Sequence, residues 1–351
     1  MAEIDVVGGW GTVIARVLSG EELDAATIAT AVEVILQGDA SPAQIAGFLV
    51  ALRGRGETSS ELSAMLDVVL THGVEVPLNE SQRSLAIDVV GTGGDGSHSI
   101  NVSTMAAIVA AGAGTPVCKH GNRSASSSCG TADVLEELGV NIGATADTVA
   151  RCVSEAGIGF CFAPTFHPAF RFAGPPRREI GIPTAFNLLG PMANPGRVQR
   201  QVIGVADPSR AELVLGTLRQ RGAKHVWVVH GNGLDELSTT GPSIVHELID
   251  DTINTFTIDA AEFGLAPASQ DDLTGGGPAE NAEVVRNVLS GALGAHRDIV
   301  VFNAAAALVV AGNATGFGDA IQLANDSIDN GSASAALDAL VVASREEPAE
   351  H

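Results

Sequence analysis

Tyrosine is absent from this chain of 351 residues, and aromatic residues amount to only 4%. The interior is therefore built mainly from Ala, Val, Leu and Ile, within a hydrophobic fraction of 45% that a disordered chain does not reach. Lysine is nearly absent too, with Lys119 and Lys224 the only two. Basic residues number 19 against 41 acidic ones, a formal net charge of -22. Such a surface repels phosphate backbones and anionic membranes, which argues against nucleic acid and membranes as partners. No long hydrophobic run is present either: the longest, Ile299–Gly312, is too short to span a bilayer and contains Asn303. Cys118, Cys129, Cys152 and Cys161 form no CxxC pair, so four reduced thiols are expected. Met1–Gly9 carries acids rather than a basic stretch and an apolar run. No secretory signal is read there, and a cytoplasmic location is expected.

What is present is organised. The length fits one large or two ordinary domains. The first 80 or so residues read as helices. Ser41-Pro42-Ala43-Gln44 has an N-cap serine, a proline at the first helical position and a glutamine three after the cap. Thr58 and Glu61 form a second potential capping box before Leu62, Met65, Leu66, Val69 and Leu70, which are spaced for one apolar helical face. From Ala86 short β-branched runs (Ile87–Val90, Ile158–Phe162, Gln201–Val205, His225–His230) alternate with helical stretches such as Thr104–Ala113 and Thr131–Leu138. That alternation predicts a largely parallel sheet covered on both faces. Ile244–Leu248 and Thr252–Ile258 predict a hairpin or an edge pair, and the last 75 or so residues are again helical.

Four loops carry candidate chemistry. Asp88-Val89-Val90-Gly91-Thr92-Gly93-Gly94-Asp95-Gly96 ends a strand in glycines, and a helix is expected from Ser103 or Thr104. Glycines admit a phosphate close to the backbone, and a helix N-terminus offers free amides. Gly91, Gly93 and Gly96 also satisfy the dinucleotide fingerprint. That reading needs an acid about 20 positions on, whereas the first carboxylate after Asp95 is Asp133. With no Gly-Lys dipeptide, a Walker-type loop is excluded. The second loop, Lys119–Thr131, gathers a lysine, an arginine, a histidine, an amide and five hydroxyls within thirteen residues, a concentration of donors suited to an anion. In the third, Arg177-Arg178-Glu179 admits either bidentate carboxylate binding or a solvated helix start paired with Glu179. In the fourth, Asp235-Glu236 follows the strand ending at His230. Adjacent carboxylates there suit Mg²⁺, although an acidic pair is common in so acidic a chain. Leu248-Ile249-Asp250-Asp251-Thr252 reads as a hairpin turn, because no glycine and hydroxyls follow it to cup a phosphate.

Taken in order, these segments resemble the anthranilate phosphoribosyltransferase family over nearly the whole chain. The resemblance runs through Gly-Thr-Gly-Gly-Asp at 91–95, Asn-Val-Ser-Thr at 101–104 and Lys-His-Gly-Asn-Arg-Ser at 119–124. It continues through Arg-Arg-Glu at 177–179, Asn-Leu-Leu-Gly-Pro at 187–191 and Gly-Leu-Asp-Glu at 233–236. It implies an α/β fold of the nucleoside phosphorylase/phosphoribosyltransferase kind, with a small all-helical N-terminal domain packed on a larger α/β domain with a mainly parallel central sheet. Residues 1–82, joined by part of 170–195, would form the helical domain, and 83–351 the domain that binds 5-phosphoribosyl-1-pyrophosphate. By the same resemblance the donor site includes Gly91, Gly94, Asp95, Ser99, Asn101, Val102, Ser103 and Thr104. It also includes Lys119, His120, Gly121, Asn122, Arg123, Ser124, Ala125, Ser126, Ser127 and Thr131. Ser103, Asp235 and Glu236 would hold Mg²⁺. Asn122 and Arg177 would meet anthranilate, Arg177 opposite its carboxylate, and Arg177 and His120 are the candidate catalytic residues. A homodimer is implied as well. Departures from the family pattern are Cys129 for serine, Ser99 for a frequent threonine, Phe170 for tyrosine in some relatives, and Pro175-Pro176 before Arg177. A nucleoside phosphorylase shares the glycine loop, and the Lys119–Arg123 segment and Arg177 argue against it.

Overall fold

The computed structural model describes residues 3–124 and 128–346. Five helices come first: Gly9–Leu18, Ala25–Gln37, Pro42–Arg55, Ser59–Thr71 and Glu80–Leu85. Both expected capping boxes form. The Gln44 amide donates to Ser41 Oγ at 3.3 Å while the Ser41 amide donates back to Gln44 Oε1 at 2.8 Å. Thr58 and Glu61 repeat the exchange at 3.0 and 3.2 Å, which satisfies two orphan amides at each helix start. Glu61 is buried and reaches further, accepting from the Leu23 amide at 3.0 Å and pairing with Arg55. One capping residue thus ties neighbouring helices together.

Seven strands form one sheet: β1 (Ile87–Gly91), β2 (Val117–Gly121), β3 (Ile158–Phe162), β4 (Arg200–Gly204), β5 (His225–Gly231), β6 (Ser243–Ile249) and β7 (Thr252–Ile258). Their order is β3-β2-β1-β4-β5-β6-β7. The first five are parallel, while β6 and β7 run antiparallel and make the predicted hairpin at the edge. Its turn is Asp250-Asp251, both in the left-handed region at φ 47° and 64°, as a two-residue hairpin turn of matching twist requires.

Successive strand residues serve opposite faces. Val89, Val202, Trp227 and Val229 join a core with the helices Val102–Gly112 and Ala295–Ala311. Val90, Ile203, Val226 and Val228 join the other core, which is continuous with the N-terminal helices and with Ala185–Met192. The helical bundle therefore packs directly on one face of the sheet. The chain leaves β1 toward β2 and β3, then returns to the other side of β1 for β4. The C-terminal ends of β1 and β4 thus flank a topological switch point, where open α/β sheets form their crevice.

Two local details differ from the expectation. The helix after the glycine loop starts at Val102, one or two residues early. Arg177 does not open a helix but lies in the last turn of Phe170–Ile180, which contains Pro175 and Pro176. Those prolines remove two backbone donors from its ladder.

Candidate active site

At the switch point β1 ends on Gly91 and β4 on Gly204, paired in register. The loop after β5 lies across both. A β-carbon on Gly91 would fall 2.3 Å from Asp235 Oδ2, and one on Gly204 would fall 1.5 Å from the Asp235 carbonyl oxygen. Only glycine at those two strand ends admits the acidic loop there. The loop is then held by its own contacts. Asp235 Oδ2 accepts from the Gly93 amide at 2.7 Å, and Glu236 Oε1 accepts from the Ser103 amide at 3.2 Å.

Around this loop is a cavity of about 600 Å³, within the usual range for small-molecule sites. Of the residues expected from the sequence, all but Thr104 and the undescribed ones line it, including Gly91, Gly94, Asp95, Ser99, Asn101, Val102 and Ser103. Lys119–Ser124, Thr131, Arg177, Asp235 and Glu236 line it as well. Ala125, Ser126 and Ser127 lie outside the described residues. Thr104, also expected there, is not among the lining residues; it is buried, its hydroxyl donating at 3.2 Å to Oγ1 of Thr131, which does line the cavity. With the helix starting at Val102, Ser103 faces the cavity and its neighbour, turned about 100° round the axis, does not.

The charges of the site are mostly buried. Burial, and then the neighbouring Asp95 charge, push the Asp235 carboxyl up to about 7. Glu236 is raised well above its ordinary value by burial and by Asp235. Two hard carboxylates, crowded and desolvated beside the Ser103 hydroxyl, form a donor set that fits Mg²⁺, which takes few protein oxygens and completes its shell from water and phosphate. Among the described residues no group of three or more His, Cys, Asp or Glu is placed to hold a metal ion. Lys119 is fully buried beneath, between Asp88 and Glu236, and donates to the Val89 carbonyl. Asp88 is raised to about 6 by burial, against the opposing pull of Lys119. Its carboxylate accepts from the His120 amide at 3.1 Å and from Asn194 at 2.7 Å. Arg123 is turned to carboxylates, bonding Asp133 at 2.6 Å and Glu136 at 2.8 Å.

The far end of the cavity is aromatic. His120, His167, Phe170 and Phe186 pack ring to ring at centroid distances of 5.2, 5.4 and 5.5 Å. The Arg177 guanidinium lies 5.4 Å from the Phe186 ring centroid. Its Nη2 donates to Asn187 Oδ1 at 3.4 Å, while its buried Nε has no partner among the described residues. His120 approaches the Gly190 carbonyl through Nδ1 at 3.1 Å, and burial beside His167 pushes its pKa down to about 3. It is a neutral ring at any physiological pH, with Nε2 unpartnered.

Three features were not singled out from the sequence. Arg53, from the helical bundle, lines the cavity with Asp207 and Arg210. Arg210 donates to buried Glu57 at 3.1 Å, linking the loop after β4 to the bundle. Asn303, fully buried in the helix Ala295–Ala311, donates to the Leu237 carbonyl at 2.8 Å and accepts from its amide at 2.9 Å. It grips the backbone immediately after Asp235-Glu236. A lone asparagine inside an apolar run was the available signal, since a buried amide requires partners.

Comparison with known proteins agrees with this geometry. Residues 83–334 match the α/β domain of a glycosyl transferase family, and residues 12–73 match that family's helical bundle domain. The chain is 50% identical over 332 residues to an anthranilate phosphoribosyltransferase of Mesorhizobium japonicum, covering 94% of this chain and 97% of that one. The crystal structure of the Thermus thermophilus anthranilate phosphoribosyltransferase superposes with a TM-score of 0.88 at 37% identity, covering 95% of this chain and 99% of the other. The Saccharomyces cerevisiae enzyme, in complex with PRPP and Mg, superposes with a TM-score of 0.85 at 28% identity, covering 95% and 97%. With half its residues shared across nearly its full length, and with its glycine loop, acidic loop and arginine drawn into one cavity, the chain belongs to the anthranilate phosphoribosyltransferase family.

Proposed function

We propose that this protein transfers the phosphoribosyl group of 5-phosphoribosyl-1-pyrophosphate to the amine of anthranilate, giving N-(5-phosphoribosyl)anthranilate and pyrophosphate, a step of tryptophan synthesis. One observation carries the reading: a single cavity joins a glycine loop and a half-buried acidic pair at one end to an arginine set among aromatic rings at the other. The first end suits a metal-bound polyphosphate and the second an aromatic carboxylate.

Asp235 and Glu236, with the Ser103 hydroxyl, hold Mg²⁺, whose charge neutralises the pyrophosphate oxygens and makes them a good leaving group. The backbone of 91–96, the start of the helix Val102–Gly112 and the Lys119–Thr131 loop seat the donor. Buried Lys119 contributes its positive field from below the strand ends. Arg177 anchors the anthranilate carboxylate, its orphan Nε and its Nη2 forming the fork, while Phe186, Phe170 and His120 flank the ring. That places the amine against the face of the ribose carbon opposite the pyrophosphate as oxocarbenium character develops. An aromatic amine is weakly basic and already neutral at pH 7, so no strong base is required. His120, neutral and buried, lines the pocket. Positioning and electrostatics supply the catalysis, and each is able to contribute several kcal/mol.

Among the described residues no helix is long and apolar enough to cross a membrane. The domain division is taken as 1–82, with part of 170–195, against 83–351. Packing of Ala173, Ala185 and Phe186 into the core of the N-terminal helices supports it. A homodimer through the helical domain accords with exposed Val6, Leu18 and Val50 on that domain. The test of function follows anthranilate fluorescence on adding the donor with and without Mg²⁺. Loss of signal only with every component present is expected. Unchanged signal from folded protein would overturn the reading in favour of a nucleoside phosphorylase, with thymidine and phosphate the next substrates.

A further inference from the structure

Residues 91–101 of one loop, and 119–124, 129 and 131 of another, make most of the polar wall of the cavity. A third segment, which contributes no residue to that wall, binds both of them. The Ile100 amide donates to the Leu273 carbonyl at 3.0 Å, and the Gly275 amide to the His98 carbonyl at 2.9 Å. Ser99 and Thr274 form an isolated antiparallel bridge. From the second loop, Ser128 Oγ donates to the Gly276 carbonyl at 2.8 Å.

The segment ends at Asn281, in the first turn of the helix Pro278–Leu289 and 2% exposed. An asparagine amide takes its orientation from its partners. Asn281 Oδ1 accepts from the Gly276 amide at 2.7 Å, so Nδ2 is the group presented to Asn101 Oδ1, 2.9 Å away. That orients Asn101 in turn: its Oδ1 also receives the Cys129 thiol at 3.5 Å, and its Nδ2 donates to the Cys129 carbonyl at 3.2 Å. One backbone amide, through two side-chain amides, thus sets the face that Asn101 turns to the cavity, and the same bonds join the two loops.

We propose that Asn281 is a positioning residue for the phosphoribosyl donor, acting through Asn101 to hold the glycine loop and the Lys119–Thr131 loop in the spacing the donor requires. The inference rests on the function proposed above and extends it to a residue outside the cavity wall.

Asn281→Asp is the informative change. It keeps the shape and the Gly276 bond but turns an oxygen toward Asn101 Oδ1. Relief requires Asn101 to rotate its amide, which then sets Oδ1 against the Cys129 carbonyl in place of the Nδ2 that now donates to it. Calorimetric titration with 5-phosphoribosyl-1-pyrophosphate and Mg²⁺, together with both KM values, is carried out on wild type, N281D, N101A and N101A/N281D. N281D is expected to weaken donor binding roughly tenfold, as loss of an outer supporting bond does, with the anthranilate KM changed less than twofold. In the N101A background N281D is expected to add nothing. Donor binding by N281D within twofold of wild type, an equal loss in the N101A background, or an equal rise in the anthranilate KM would each overturn the proposal. If N281D does not fold, N281A, which removes the side-chain amide without adding charge, is held to the same criteria. Failure of the wild type to bind the donor would instead overturn the functional reading, and the wild-type titration separates the two.

Discussion

A β-carbon on Gly204 would sit 1.5 Å from the carbonyl oxygen of Asp235. The end of β4 is therefore the floor on which the acidic loop rests, and no side chain fits between them. Gly204 does not have a positive φ, so the cost of alanine there comes from overlap alone. Gly204→Ala is expected to displace the loop, to lower stability by about 1–3 kcal/mol, and to raise the Mg²⁺ concentration needed for half-maximal turnover. Urea denaturation and a metal titration check the two effects. Wild-type metal dependence in a folded variant would mean that the acidic loop does not hold the ion.

Local features were legible in the sequence and distant ones were not. Both capping boxes, the parallel strands, the hairpin at Asp250-Asp251 and the loops at 91–96, 119–131 and 235–236 are written in neighbouring residues, where turn and helix-start chemistry acts over a few positions. The helix start was set one or two residues late, since Asn101 gives no side-chain cap to mark it, and such a shift turns side chains to different faces. Asn303 and Asn281 were missed for another reason: their partners Leu237 and Asn101 lie 66 and 180 residues away. Only the folded chain brings them together. Asn194, bridging Asp88 and the Cys118 carbonyl, escaped in the same way.

Arg177 lies at the aromatic end of the cavity with one buried N–H unpartnered. Arg177→Ala is expected to raise the KM for anthranilate by tenfold or more, since a bond to a charged group contributes about 1.5–3 kcal/mol. The KM for the phosphoribosyl donor should change little. Arg177→Lys should recover only part of the loss, because an ammonium lacks the planar fork. Steady-state kinetics with each substrate varied decides it, and equal effects on both KM values would refute the assignment.

His120 carries a pH signature. Its folded pKa is depressed to about 3 by burial, whereas an unfolded histidine titrates near pH ~6.5. Below that pH the unfolded chain takes up a proton that the folded one refuses, so stability is lost as pH falls. Asp88 and Asp235 act in the opposite direction, their folded pKa values raised to about 6 and about 7, so the raw pH profile mixes these groups. Comparison with His120→Asn isolates the histidine. Between about pH 6.5 and 4.5 the wild type should lose stability relative to the variant by roughly 1.4 kcal/mol per pH unit. Parallel denaturation profiles would show that His120 is protonated in the folded protein.

Asn303 holds the acidic loop from the other side. Its amide satisfies both the N–H and the C=O of Leu237, and all three groups are out of water. Asn303→Leu keeps the volume but leaves two backbone groups unsatisfied, each costing about 1–3 kcal/mol. Two outcomes are open to the chain. Either Leu237 stays and the full penalty appears as lost stability, or the loop shifts to find water and carries Asp235 and Glu236 with it. The helix Ala295–Ala311 packs through Phe302, Ala304 and Ala305 into the core, so the helix itself does not move to help. Besides Asn303 the carboxylate end of the loop is held by the Gly93 and Ser103 amides and by the Asp235 amide donating to Asp95 Oδ2 at 3.4 Å; none of these engages the Leu237 backbone, so the second route is the cheaper. Asn303→Leu is therefore expected to lose less stability than the two orphaned groups imply and to need several-fold more Mg²⁺ for turnover. Urea denaturation with and without Mg²⁺, set beside the metal titration, separates the routes. A large stability loss with unchanged metal dependence would mean that the loop is rigid and that Asn303 serves the fold alone.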